Sequence, residues 1–116
     1  QLIQFHDRNP ILAAACIEDA GFCRKGEAGP FLAATDTTYR GTLPINTDGG
    51  QLSGGRLDAV QGASGAPHIM EAVRQLMGRA ESEGRQVADA SLCMINLCGD
   101  GLSKAITVVL GTEETL

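Results

Sequence analysis

"LPINTDGGQLSGGR", residues 43 to 56, breaks an apolar, strand-like run into a stretch that carries two Gly-Gly pairs. Glycine accepts φ > 0 and lets a backbone or a ligand come close, so two such pairs describe a shaped loop rather than a merely flexible one. Something needs to approach that backbone, and the flanking elements must be folded back onto it.

Upstream, Leu2 to His6 reads as a short strand, and "NPILAAACIEDAGF" then turns helical. Asn9 is the N-cap, Pro10 takes the first helical position, Glu18 and Asp19 face outward, and Gly21 stops the helix. "CRKGEAGPFLAATDTTYRGT" follows as a Gly- and Thr-rich excursion with a small hairpin expected around "TDTTYRGTLPIN". Downstream, residues 64 to 80 form the clearest helix: Ile69, Ala72, Val73, Leu76, Met77 and Ala80 recur at the spacing of one buried face. Glu71, Arg74, Gln75 and Arg79 take the other face. "ESEGRQVADA" is a polar loop, and "SLCMINL" and "KAITVVLG" are two strands joined by "CGDGLS". Strand, helix, glycine turn, helix and a strand pair make α/β or α+β layers.

The 116 residues are enough for one domain with a modest core. With three Phe, one Tyr and no Trp, that core has to be built from aliphatic side chains, which suits helices packed on a sheet better than an aromatic-rich sandwich. Net charge is 9 − 14 = −5, and the basic residues are scattered, so no stripe exists to follow a phosphate backbone. Nucleic acid is not an expected partner. Cys16, Cys23, Cys93 and Cys98 have no metal-ligand rhythm and sit among apolar neighbours, as reduced, buried thiols do in an intracellular protein. No metal is expected. Neither a signal peptide nor a run of about 18 apolar residues is present, so the expected location is cytoplasmic, away from a membrane. The chain opens abruptly at "QLIQFHD" and reads as a piece of something longer.

Five stretches in order, "FHDRNP", "GFCRKGEAGPFL", "TYRGTLPINTDGGQLSGGR", "GASGAPHIMEAVRQLMGRA" and "RQVADASLCMINLCGDG", resemble the C-terminal half of thiolases, especially the sterol-carrier and lipid-transfer type. The resemblance spans nearly the whole chain, and "INTDGGQLS" with "EAVRQLMGRA" is its most specific part. It implies an α/β fold, a mixed sheet with packed helices, in which residues 1–116 are a partial C-terminal thiolase-like domain without the first, central strand of its half. It also implies an acyl-CoA enzyme that makes or breaks a carbon–carbon bond beside the thioester, with coenzyme A as part of the substrate and no covalently bound cofactor. The implied partners are the N-terminal thiolase half, a second copy in a homodimer, and a small OB-fold protein with a zinc ribbon. The fragment alone is expected to be inactive, because the family's nucleophilic cysteine lies in the other half.

Removing a proton beside a thioester carbonyl needs a base together with donors aimed at the enolate oxygen. His6 in "FHDRNP" matches the family's His-Asp pair and is the first catalytic candidate; the plain alternative is a strand-end histidine bonded to backbone. Asp7 is a candidate to orient the His6 ring, although an adjacent strand residue points to the opposite face, which suits capping or the surface better. Cys98 in "NLCGDG" takes the place of the family's acid/base cysteine, with packing as its alternative. Asn46, Gly49, Gly50 and Gly99 would close around the acyl-thioester, the alternative being that the glycines only shape a crossover. Arg56 departs from the family, whose Gly-His-Pro loop carries a histidine here. An arginine stays protonated and cannot accept the nucleophile's proton, so Arg56 binds a carboxylate, steadies an enolate, or is a solvated loop charge. His68 opens the amphipathic helix and reads as a capping or packing residue. Three functions stay open: thiolysis or condensation, retro-aldol cleavage of a β-hydroxyacyl-CoA as in steroid side-chain breakdown, and a non-catalytic thiolase-fold subunit.

Overall fold

The structure, a computed structural model, describes residues 1–53, 65–99 and 103–115. β1 (Leu2–Phe5) is buried at all its positions. It pairs in parallel with β2 (Leu92–Gly99), with Phe5 opposite Asn96, and β2 pairs antiparallel with β3 (Lys104–Gly111). On its other side β1 makes a single parallel bridge, Ile3 to Ile45. With neighbours on both edges and helices on both faces, β1 has to be apolar on both faces, which explains "LIQF" and leaves Gln4 as its one polar residue. Three strands are described, in the order β1-β2-β3, where a whole thiolase half implies five.

Strand alternation divides the core in two. Ile3 and Phe5 pack with Cys16 and Ile17 of α1 (Pro10–Asp19), Met94 and Cys98 among their neighbours. Leu2, Cys93 and Ile95 pack on the other face with Ala72 and Val87. α1 begins as its sequence dictates: Leu12 N–H donates to Asn9 Oδ1 at 2.9 Å, with Pro10 in the first turn. It ends on Ala20, followed by Gly21 at φ 82°. Glu18 does not simply face water. Its carboxylate accepts Ala28 N–H at 3.1 Å and stitches α1 to α2 (Ala28–Ala34), and the Gly26 and Ala28 amides hold it below the usual carboxylate range.

Two expectations need correction. The segment from 35 to 46 is not a strand hairpin. α2 precedes it, and two backbone bonds, Leu43 N to Asp36 O and Ile45 N to Thr37 O, fold the remainder into a loop that delivers Ile45 to β1.

The helix at 64–80 is shorter, α4 (Ala66–Leu76), and its buried stripe is rotated: Ala72, Leu76 and Ala80 lie inward and Arg74 and Arg79 outward as expected, but the rest of the pattern does not hold. Glu71 and Gln75, expected outside, are about 1% exposed, whereas Ile69, Val73 and Met77, expected inside, are 41, 40 and 55% exposed. The reason is a buried polar network. Glu71 Oε1 accepts Thr47 Oγ1–H at 2.5 Å, Gln75 Nε2–H at 2.9 Å and the Arg85 guanidinium, and Gln75 Oε1 accepts Val87 N–H at 2.8 Å. These bonds let the helix bury polar side chains with the Glu71 charge paired, although Glu71 Oε2 is buried without a hydrogen-bond partner among the described residues.

Candidate functional site

A four-residue helix, α3 (Gly50–Ser53), follows the turn that begins at Asn46. Asn46 is a non-glycine residue at φ 45°, and its side-chain amide serves the backbone of β1. Phe5 N–H donates to Asn46 Oδ1 at 2.8 Å, and Asn46 Nδ2–H donates to Phe5 O at 3.0 Å. Asn46 N–H also donates to Ile3 O at 3.0 Å. The side chain thus pairs with the strand as another strand residue would, and fixes the turn against the end of β1. Asn46 is placed at the site, but its amide is committed to β1 rather than free for a ligand.

The glycines of the turn make room for a side chain of the chain itself. Gly50 has φ 58°, and a Cβ there would overlap the Asp7 carboxylate; Gly49, at φ 93°, would bring a Cβ to 2.8 Å from Ser53 Cβ. Asp7 is 5% exposed, and its Oδ1 accepts Gln51 N–H at 2.8 Å, at the first turn of α3. The expectation of a capping or surface role for Asp7 is therefore half met: it caps, but from a buried position and across 44 residues of sequence. Gly50→Ala should cost about 2 kcal/mol, the left-handed backbone and a displaced carboxylate together, read as a lower denaturant midpoint of the full-length protein.

His6 continues the ladder beyond β1, its N–H donating to Asn96 O at 2.9 Å. Alternation puts its side chain with Leu2 and Gln4 on the α4 face, where it is 7% exposed. There it meets His68, which was expected only to cap or pack. His68 is fully buried, with Nε2 3.7 Å from Asp7 Oδ1. Burial lowers its pKa; the negative charges of Asp7 and Asp48 act in the opposite direction, and His6 adds to the lowering. The sign for stability follows. Above the unfolded value of 6.5 both states are neutral; below it the unfolded chain takes up a proton that the fold resists. Thermal stability should fall as pH drops through that value and level off below the lower native one, and His68→Gln should flatten the slope.

Cys98 is placed differently. It alternates with Met94 and Asn96, on the α1 face, with its Sγ 3.8 Å from Cys16 Sγ. Burial, and then Cys98 itself, pushes the Cys16 thiol up to about 12. The residues on either side of His6 meet the turn, Phe5 at Asn46 and Asp7 at Gly50 and Gln51, while the Cys98 thiol packs with Cys16 on the α1 face. Gly99, at the end of β2, is exposed, and Arg56 lies outside the described residues. All four cysteines are unbridged, and among the described residues no three His, Cys, Asp or Glu side chains are grouped to hold a metal ion. Among the same residues no helix is long and apolar enough to cross a membrane.

The sequence reading missed Asp7, His68, Glu71 and Gln75 as parts of one polar layer under α4. The available signal was the spacing of His68, Glu71 and Gln75, which places all three on one side of a helix.

The geometry has counterparts. The chain is 34% identical over 108 residues to an acetyl-CoA acetyltransferase of Methanothermobacter thermautotrophicus, covering 92% of this chain and 27% of that protein. It is 36% identical over 84 residues to a steroid side-chain-cleaving aldolase of Thermomonospora curvata, covering 72% of this chain and 20% of the aldolase. A solved structure named Ltp2-ChsH2(DUF35) aldolase superposes with a TM-score of 0.78 at 30% identity, over 99% of this chain and 27% of that one. The chain thus spans about a quarter of the length of such relatives. Residues 1–112 match the family described as "Thiolase C-terminal domain-like", and the chain belongs to that family.

Proposed function

We infer that this chain supplies part of the site of an enzyme acting on a coenzyme A thioester, and that its reaction is carbon–carbon cleavage of the aldol type. The observation that supports this reading is the end of β1, where a nearly buried His6 lies between Phe5, bonded to Asn46, and Asp7, which lies against Gly50, in a chain of the thiolase family. Two features favour aldol cleavage over thiolysis. Arg56 stands where the resemblance implies a histidine, and a guanidinium cannot take a proton from a nucleophilic thiol. Relatives named as a steroid side-chain-cleaving aldolase and as a 17-hydroxy-3-oxo-4-pregnene-20-carboxyl-CoA lyase, the latter 45% identical over 62 residues, point the same way.

In a retro-aldol step a base removes the proton of the β-hydroxyl and the Cα–Cβ bond breaks. The departing fragment leaves as a carbonyl compound, and the electron pair of the broken bond becomes a thioester enolate that is protonated at Cα. No redox partner is required. His6 is assigned the enolate oxygen, to which its imidazole donates a hydrogen bond. Cys98, with its thiol against Cys16 on the α1 face, is given no part in a step at His6, and the room at Gly50 is taken by Asp7, which leaves exposed Gly99 as the glycine proposed to line the acyl chain.

The partners proposed are an N-terminal thiolase half, a second copy of the whole protein, and a small OB-fold protein with a zinc ribbon. The name of the structural neighbour includes a DUF35 component, which supports a partner protein for this chain too.

The test supplies the full-length protein, with and without its partner, first with a branched β-hydroxyacyl-CoA and then with a β-ketoacyl-CoA plus free coenzyme A. Release of a ketone and a shortened acyl-CoA from the first substrate is expected. Turnover of the second alone would make the protein an acyltransferase, and turnover of neither would leave a thiolase-fold scaffold.

A further inference from the structure

Two thiols that have no part in the site touch one another. Cys16 Sγ, on the inner side of α1, lies 3.8 Å from Cys98 Sγ, near the end of β2, although 82 positions separate them in sequence. Among the described residues this is the one thiol–thiol contact, and Cys93 packs on the opposite face of the sheet with Leu2 and Ile95. The contact has a direction. Cys98 Sγ also lies 3.9 Å from Asn96 Oδ1, an oxygen that can only accept, while Asn96 Nδ2–H is given to Thr107 Oγ1 at 2.9 Å. The Cys98 S–H therefore points to Asn96, and the Cys16 S–H points to the Cys98 sulfur. The two also differ in reach. Cys16 is 5% exposed, whereas Cys98 is half-buried and precedes exposed Gly99, so a small solute arriving from water meets Cys98 first.

We propose that Cys16 and Cys98 are the site of a reversible disulfide, formed when hydrogen peroxide oxidises Cys98 and the Cys16 thiol resolves the product. In the first step the Cys98 sulfur attacks one peroxide oxygen and the O–O bond breaks. Cys98 becomes a sulfenic acid, and the second oxygen leaves as water with the thiol's proton. In the next step the Cys16 sulfur attacks the Cys98 sulfur, the S–S bond forms and the S–O bond breaks. The Cys98 oxygen departs as water, carrying the proton of the Cys16 thiol. Each sulfur gives up an electron, and the peroxide is reduced to water. A disulfide holds its sulfurs about 2 Å apart, so closure from 3.8 Å draws these two together by roughly the same distance. The bond would fasten α1 to β2 just beyond Asn96, whose carbonyl accepts the His6 N–H. None of this chemistry depends on the acyl-CoA reading.

The experiment treats the reduced full-length protein with a small excess of hydrogen peroxide, blocks the remaining thiols with iodoacetamide, and maps the peptides by mass spectrometry without reductant. The expected product is a Cys16–Cys98 cross-link, lighter by a pair of hydrogens than the two thiol peptides together and released by dithiothreitol. In Cys16→Ala, Cys98 should stop at the sulfenic acid and be captured by dimedone. In Cys98→Ala, the Cys16 thiol should stay unoxidised. Wild-type protein in which Cys98 reaches the sulfenic or sulfinic acid with no cross-link overturns the proposal, because the two thiols then do not react with each other. So does a Cys98 that peroxide leaves untouched, a bridge from either thiol to another cysteine, or oxidation of Cys16 in Cys98→Ala. The wild-type map decides by itself, so a variant that fails to fold does not spare the proposal.

Discussion

Arg85→Met is expected to destabilise the packing of α4 on β1 by about 3 kcal/mol, the low end of the range for breaking a buried ion pair from one side. Glu71 has a side chain 1% exposed, and the Arg85 guanidinium is the positive charge that meets it. Without that charge, Thr47 and Gln75 still donate to Glu71 Oε1, which is why the cost sits at the low end. Arg85 is itself held more firmly protonated by its hydrogen bonds to Glu83 and Glu71, which outweigh its own partial burial. Removing both charges together, as Glu71→Gln with Arg85→Met, should recover more than half of the loss, because the cost lies in the uncompensated carboxylate rather than in the missing contact. Hydrogen exchange of the α4 and β1 amides in the full-length protein reads this locally, without assuming that a larger protein unfolds in one step. A change below about 1 kcal/mol would mean that the Arg85 guanidinium is not what holds Glu71 in place.

His6→Ala should lower kcat/KM on the acyl-CoA substrate by about 10²–10³, the loss carried by kcat. The argument is one of timing. Negative charge on the thioester oxygen exists only as the enolate forms, so a donor aimed at it contributes in the transition state and little in the ground state. His6 is nearly buried at the end of β1, and its backbone is tied to Asn96, so the ring is held where a strand ends rather than on a mobile loop. His6→Asn supplies the control, since a carboxamide keeps a donor and should retain more activity than alanine. A His6→Ala enzyme within about threefold of wild type would remove the imidazole from the chemistry and return His6 to an ordinary strand-end residue.

Much of the scaffold was legible before any coordinates. Asn9, Pro10 and Gly21 bracket α1 because each acts through backbone geometry and bonding within a few residues of itself. β1 was readable as an apolar run because a strand covered on both faces leaves few positions for polar side chains, and β3 reads as one too although most of its positions are exposed. The turn at 46–50 was recognised as shaped, but not what it was shaped for. The glycine signal says that something comes close, and a local signal cannot say that the visitor is Asp7.

Neighbours along the chain set the caps, the strands, the paired glycines and the order of elements that marks the family. Only the assembled fold sets which side of α4 is buried, that Asp7 and His68 meet, and that the Cys98 thiol packs against Cys16. The physical reason is the same in each case. A hydrophobic pattern assumes that polar residues seek water, yet Glu71 Oε1 and Gln75 find partners in Thr47, Arg85 and Val87, brought in from elsewhere in the chain. Which side of a sheet a residue takes is likewise set by pairing register, and register is a property of the assembled strands.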